Sequence, residues 1–186
     1  MMNNDAIQKY ILKNKDNLRI AATVGEAWPK IRLQIVDGFL DRLKIRLKKK
    51  LKGWQFELCD GDFFVTEYPG YYFWKPAWEN QYSLCLQLFK KGEQPMLGVG
   101  RDKAYIGKRK FSDKLFNAIV SIYPSAQRDA WWEARVKMQS PESDWRKPKV
   151  LWRMHKDSKF LDEVAEQLLE LEKISGPIID GLVQKK

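Results

Sequence analysis

The chain has 186 residues, 44% of them hydrophobic and 31% charged, the balance of a folded domain long enough to bury a substantial core. Its 34 Lys and Arg outnumber 24 Asp and Glu for a net charge of +10, which favours an anionic partner, nucleic acid first, unless the lysines simply face water. No apolar run of about 18 residues exists, the N-terminus lacks a secretory pattern, and two cysteines, Cys59 and Cys85, are too few for a disulfide framework, so a cytoplasmic protein with reduced thiols and no membrane partner is expected.

Asn4 or Asp5 can cap a first helix carrying Ile7, Tyr10 and Ile11. Asp16-Asn17 is expected to break it, residues 18–24 to add one or two turns, and Gly25 to end that piece. Pro29 fits the first turn of a long second helix, where its missing N–H costs nothing. Val36, Leu40, Leu43, Leu47 and Leu51 then share one helical face, and Gly53 stands where a terminating glycine belongs.

From Trp54 the period changes to two, with Phe56 and Leu58 alternating with Gln55, Glu57 and Cys59. Asp60-Gly61 reads as a hairpin turn into a returning strand over residues 63–68, and Pro69-Gly70 turns again into residues 71–75. Tyr82, Leu84, Leu86 and Leu88 alternate with Ser83, Cys85, Gln87 and Phe89, and residues 96–101 make a fifth strand. Connections this short force antiparallel neighbours and so a meander. Ser112 caps a helix with Leu115, Phe116, Ile119, Val120 and Tyr123 inward, stopped by Pro124. Residues 130–138 read as a sixth strand, 139–149 as an exposed loop. Asp157 or Ser158 opens a final helix that Gly176-Pro177 ends, followed by a docked turn. The expectation is one α+β domain over residues 1–186, a meander sheet of five to six strands flanked by N-terminal, central and C-terminal helices. Its core should hold Val36, Leu40, Leu43, Leu47, Phe56, Leu84, Leu86, Phe116, Ile119, Trp132, Leu161, Val164 and Leu168.

Familiar reaction signatures are missing. His155 is the sole histidine, and neither zinc-ligand spacing nor a GxSxG elbow is present. Gly98-Val99-Gly100 lies in a strand and lacks the third glycine of a dinucleotide loop; its small residues suit close approach of a neighbouring element. Asp60 and Asp62 could hold a metal in principle, but no Glu-x-Lys completes a nuclease site, and Glu133-Ala134-Arg135 is no like-for-like substitute. No enzyme activity, metal or cofactor is expected.

Trp54 after a basic helix, the run Gly70-Tyr71-Tyr72-Phe73-Trp74-Lys75-Pro76-Ala77-Trp78, the strand from Tyr82 to Phe89 and Leu97-Gly98-Val99-Gly100 together resemble a known pattern. It is similar to the C-terminal accessory region of bacterial and phage proteins classed with the PD-(D/E)xK nuclease superfamily, over about residues 30–100. In those longer proteins the nuclease residues lie upstream. The resemblance therefore implies a non-catalytic companion module from a mobile element or defence locus and carries over no catalytic residue.

Two basic clusters and one aromatic strand are the candidate surfaces. Residues 41–52 hold seven cations against Asp41 alone, and Arg42, Arg46, Lys49 and Lys50 can form a ridge opposite the leucine stripe, matched to phosphates or simply solvated. Arg101, Lys103, Lys108 and Arg109, with Lys110, make a second cluster at the sheet end. Tyr72, Trp74, Lys75 and Trp78 offer rings beside it, either a stacking and partner-binding surface or rings buried under helices. Asp162, Glu163, Glu166, Glu170 and Glu172 gather on the last helix, where they can meet the basic ridge, dock a second copy as a homo-oligomer, or face water. Two readings follow. One is a non-catalytic binding module contacting nucleic acid through helix and sheet-end cluster. The other is a protein-interaction factor (antitoxin, anti-defence factor or nuclease companion) that meets an acidic protein partner or uses the aromatic strand as its hot spot.

Overall fold

The computed structural model describes residues 4–58, 63–79, 81–89, 93–106, 110–138 and 144–184. Among the described residues, five α-helices and six antiparallel strands make an α+β architecture. A helix α1 (Asn4–Ile11) leads into the 34-residue α2 (Lys15–Lys48). The break between them falls at Asn14, whose side chain accepts from the Asn17 N–H at 2.8 Å, so Asp16-Asn17 opens α2 instead of closing α1. Nor do Gly25 and Pro29 divide α2. A proline forfeits one backbone bond and crowds the carbonyl four residues back, here that of Gly25. The remaining bonds and the buried downstream face with Val36, Phe39, Leu40, Leu43 and Leu47 carry the helix through.

Residues 49–52 turn the chain, Gly53 takes φ +77° as a left-handed corner, and β1 (Gln55–Leu58) begins. Its partner is β2 (Gly70–Trp74), not residues 63–68, with Leu58 opposite Tyr71 and Gln55 opposite Trp74. The expected strand at 63–68 is instead a series of turns, because Phe63 and Phe64 both bury. Alternation would have sent one of them to each face; Arg32 caps the Phe64 ring at 4.4 Å. The Asp60-Gly61 turn and Cys59 lie outside the described residues.

After a short 3₁₀ turn (Pro76–Trp78), β3 (Tyr82–Phe89) and β4 (Glu93–Arg101) pair, with Cys85 opposite Gly98 and Ser83 opposite Gly100. Ser112 caps α3 (Asp113–Val120) as read from sequence, its hydroxyl accepting from Leu115 N–H. A three-residue edge strand β5 (Gln127–Asp129) had no sequence signal, and β6 (Trp132–Lys137) lies between it and β4. The order β1-β2-β3-β4-β6-β5 is a meander through its first four strands.

Two further corrections concern the C-terminal third. Pro148 starts a helix α4 (Pro148–Lys156), and Trp145, expected in a loop, is fully buried edge-on to Phe39. The last helix, α5 (Ser158–Val183), runs through Gly176-Pro177. Tertiary contacts carry it past the proline: Ile179 is fully buried, and Asp180 is held by two donors described below.

The core forms where α2, α3, α4 and α5 pack on the sheet face carrying Tyr71, Phe73, Leu84, Leu86, Leu88, Leu97, Val99, Ala134 and Val136. Of the expected core residues, ten are buried, and Phe56, Phe116 and Leu161 are partly so. Alternation sends Tyr72, Trp74, Ser83, Cys85, Gly98, Gly100 and Trp132 to the opposite sheet face. None of the described helices is long and apolar enough to cross a membrane.

Candidate nucleic-acid interface

The opposite sheet face holds an open concavity of about 370 Å³ at the end where β2 finishes, β3 begins and β4 finishes. Its floor is Ser83, Cys85 and Gly100. A Cβ on Gly100 would come 2.8 Å from Cys85 Sγ, so only glycine keeps this floor clear. The Cys85 thiol is pushed up to about 12 by burial, against the opposing pull of its hydrogen bond to Ser83, so it is a neutral, small apolar group at pH 7.

Rings form both walls. Tyr72 and Trp74 stand on β2 with Glu57 of β1 beside them, and Trp132 and Trp131 stand on the other side. Two glycines provide the beds on which the rings lie. A Cβ on Gly98 would strike Trp132 Cε3 at 2.8 Å and the Ala134 carbonyl; one on Gly70 would meet the Tyr72 ring. The close approach read into Gly98-Val99-Gly100 is thus realised on this face. The Tyr72 hydroxyl is fixed by the Gln87 amide at 2.7 Å. Trp131, in the β5–β6 turn, is 54% exposed and projects at the rim.

The basic end of the concavity is unequal. Arg101 is buried, its guanidinium 3.6 Å from buried Glu133 and stacked on Phe111 at 4.5 Å, so its charge is spent inside the protein. Asp102 caps the short helix Lys103–Tyr105 by accepting from Ala104 N–H at 2.7 Å. Lys103 is exposed and has no ion-pair partner among the described residues. Lys108 and Arg109 lie outside the described residues.

The other candidates divide. Trp78 is fully buried on the helical side, edge-on to Trp54 at 5.0 Å, and its indole N–H donates to Asp180 at 2.7 Å. It cannot stack on a ligand. Lys75 bonds Asp180 at 2.6 Å and lies 3.9 Å from Glu172, so it serves the fold and not a partner. On α2, Arg42 donates to the Met154 carbonyl and Arg46 pairs with Asp162 at 2.5 Å, while Lys49 and Lys50 are exposed. The acidic last helix thus takes up Arg46 and the α4 backbone takes up Arg42, half of the expected ridge. The ridge belongs to the helical layer and the concavity to the other sheet face, so they are separate surfaces.

Sequence reasoning missed the floor and Trp131. The signal was Ser83-Leu84-Cys85 in register with Gly98-Val99-Gly100, which makes a strip of small side chains only once the strands are paired. Among the described residues no group of three His, Cys, Asp or Glu side chains is placed to hold a metal ion; Asp60 and Asp62 lie outside them. Comparison with known proteins finds no matching family model, no matching curated protein and no matching solved structure.

Proposed function

We propose that this protein is a non-catalytic module that binds single-stranded nucleic acid on the open face of its sheet, taking an unstacked base between the two aromatic walls. The observation that carries the reading is that arrangement: Tyr72 and Trp74 facing Trp131 and Trp132 across a floor of Ser83, Cys85 and Gly100. A cleft of about 370 Å³ is at the small end of ligand sites and suits one ring system. Its near-neutral lining, with Glu57 and Asp102 against Lys103, favours the flat, uncharged part of a nucleotide; phosphates then fall to Lys103 at the rim. A duplex hides its bases, so this site favours single strands. The small neutral floor, with a protonated thiol and no carboxylate, supports binding over chemistry. Association with a phage or defence system belongs to this proposal on the strength of the sequence resemblance alone.

The test is fluorescence anisotropy with a labelled single strand and the matching duplex. Single-strand binding should exceed duplex binding. Trp131→Ala should weaken it by about 5- to 150-fold, the equivalent of about 1–3 kcal/mol for one stacked base. Lys103→Ala should lower the log–log salt slope by about 0.7, one phosphate contact. Equal affinity for duplex, with both variants neutral, refutes the sheet-face site. Salt-insensitive capture of a protein through Trp131 and Trp74 would instead favour the interaction-factor reading.

A further inference from the structure

We infer that the sheet-face concavity is selective for guanine, with the Glu57 carboxylate reading the Watson–Crick edge of the base; this rests on the single-strand site proposed above. Glu57 of β1 stands directly opposite Tyr72 of β2 and lines the concavity. The Tyr72 ring lies over Gly70, where an added Cβ would come 2.7 Å from its Cζ, and the Gln87 amide holds the hydroxyl there at 2.7 Å. Drawn along β2 toward Gly70, the ring leaves room for Glu57 to reach the cavity. Other polar side chains of the lining are committed to the fold. The Ser83 hydroxyl meets Cys85 Sγ at 3.2 Å, and the Gln87 amide nitrogen donates to the Tyr68 carbonyl and the Tyr72 hydroxyl. Arg101 lies against Glu133, and one Asp102 oxygen accepts from Ala104 N–H. Glu57 has no hydrogen bond or ion pair among the described residues, in a chain of net charge +10. An acid left without a partner in so basic a chain is available to a ligand's donors.

A carboxylate only accepts, and it accepts best from two adjacent N–H groups aimed at its two oxygens. Of the common bases only guanine presents such a pair, its N1–H beside the exocyclic N2 amino group. Adenine and cytosine each set one amino group beside a ring-nitrogen lone pair that a carboxylate repels. Thymine and uracil flank a single N3–H with two carbonyl oxygens. An unstacked base in a single strand exposes this edge, which a duplex keeps paired. The second open charge of the site favours the same orientation. Lys103 follows the end of β4, and β1 and β4 are three strand spacings apart, about 14 Å. On a purine nucleotide the sugar leaves from N9, across the ring system from N1. A guanine whose edge meets Glu57 therefore carries its phosphate away from that acid and toward the exposed Lys103. The acidic and basic ends of the concavity thus match the donor edge and the phosphate of one nucleotide, with the rings on either side holding the base plane.

Fluorescence anisotropy of the full chain with a short labelled oligothymidine, one central base of which is varied, tests this. Guanine at that position should bind about 5- to 150-fold more tightly than adenine, cytosine or thymine, the discrimination of one bidentate contact. Hypoxanthine, which lacks the N2 amino group, should fall between, and 7-deazaguanine, altered only on the opposite edge, should match guanine. Glu57→Ala, at an exposed position of the edge strand, should bring the guanine-to-adenine affinity ratio close to one with unchanged circular dichroism. Equal affinity for all four strands, still weakened by Trp131→Ala, overturns guanine selectivity and leaves the single-strand site standing. A guanine preference that survives Glu57→Ala overturns it as well. Absence of single-strand binding, or binding indifferent to Trp131→Ala, refutes the site itself and the selectivity with it.

Discussion

Replacing Asp180 by alanine tests why α5 continues beyond Pro177. The Asp180 carboxylate accepts from the Trp78 indole N–H at 2.7 Å and from Lys75 Nζ at 2.6 Å. Trp78 is fully buried, so Asp180→Ala leaves its N–H without an acceptor, at about 1–3 kcal/mol. The Lys75 pair, with side chains 28% and 35% exposed, is screened by solvent and adds about 0–1 kcal/mol. The total loss should be about 1–4 kcal/mol. Asp180→Asn keeps an oxygen for the indole and loses only the charge, so it should cost less than about 1 kcal/mol. Urea unfolding monitored by fluorescence should show a lower midpoint with unchanged slope. A double-mutant cycle with Trp78→Phe should give a coupling of about 0.5–3 kcal/mol. Equal losses for the alanine and asparagine variants, or strict additivity with Trp78→Phe, would refute the anchor.

Three further outcomes are expected. Burial lifts the Glu172 carboxyl above its ordinary range by more than Lys75 lowers it, and Asp180 adds to the rise. The native state thus holds this proton more tightly than the unfolded chain does, so ionisation costs stability as pH rises from the ordinary glutamate range through the raised value. Glu172→Gln should therefore stabilise the protein at pH 7 and give no gain below about pH 4, as read by denaturation at both pH values. Gly98→Ala should destabilise by about 1–3 kcal/mol or more, since its Cβ meets the β6 backbone and the Trp132 ring, whereas Gly38→Ala, 3.7 Å from the Arg42 guanidinium inside α2, should gain about 0.5–1 kcal/mol in thermal or chemical unfolding. Leu43→Ala, fully buried on the α2 stripe, should cost about 2–5 kcal/mol, and a loss below about 0.5 kcal/mol would take that face out of the core.

Periodic segments were legible in the sequence because burial on one side of a regular element writes itself into the chain. The leucines of α2, the alternation of Tyr82 to Phe89 and the Ser112 and Asp157 caps all stand where the pattern put them. The errors fall at residues whose local preference is overruled by distant partners. Pro29 should start a helix and Pro177 should end one, yet long flanking helix and the Asp180 anchor hold both inside. Phe63 and Phe64 look like a strand, but each finds the core from a turn. The candidate face was half visible. Tyr72 and Trp74 stood out as rings of an aromatic strand that must carry rings on both faces, whereas Trp78 looks identical in sequence and differs because α5 brings Asp180 to it. The concavity depends on strand register, which places Gly98 and Gly100 against Cys85 and Ser83, and adjacent residues carry no trace of that pairing.

Photo-cross-linking of a bromouridine-bearing single strand to the wild-type protein, followed by peptide mapping, probes the sheet face most directly. Cross-links should concentrate on Tyr72, Trp74, Trp131 and Trp132, the rings that line the concavity, and should fall away in Trp131→Ala. Cross-links confined to the helical layer, at residues 46–50 around the end of α2 or at exposed Trp152 of α4, would contradict the sheet-face site and return the basic ridge to first place.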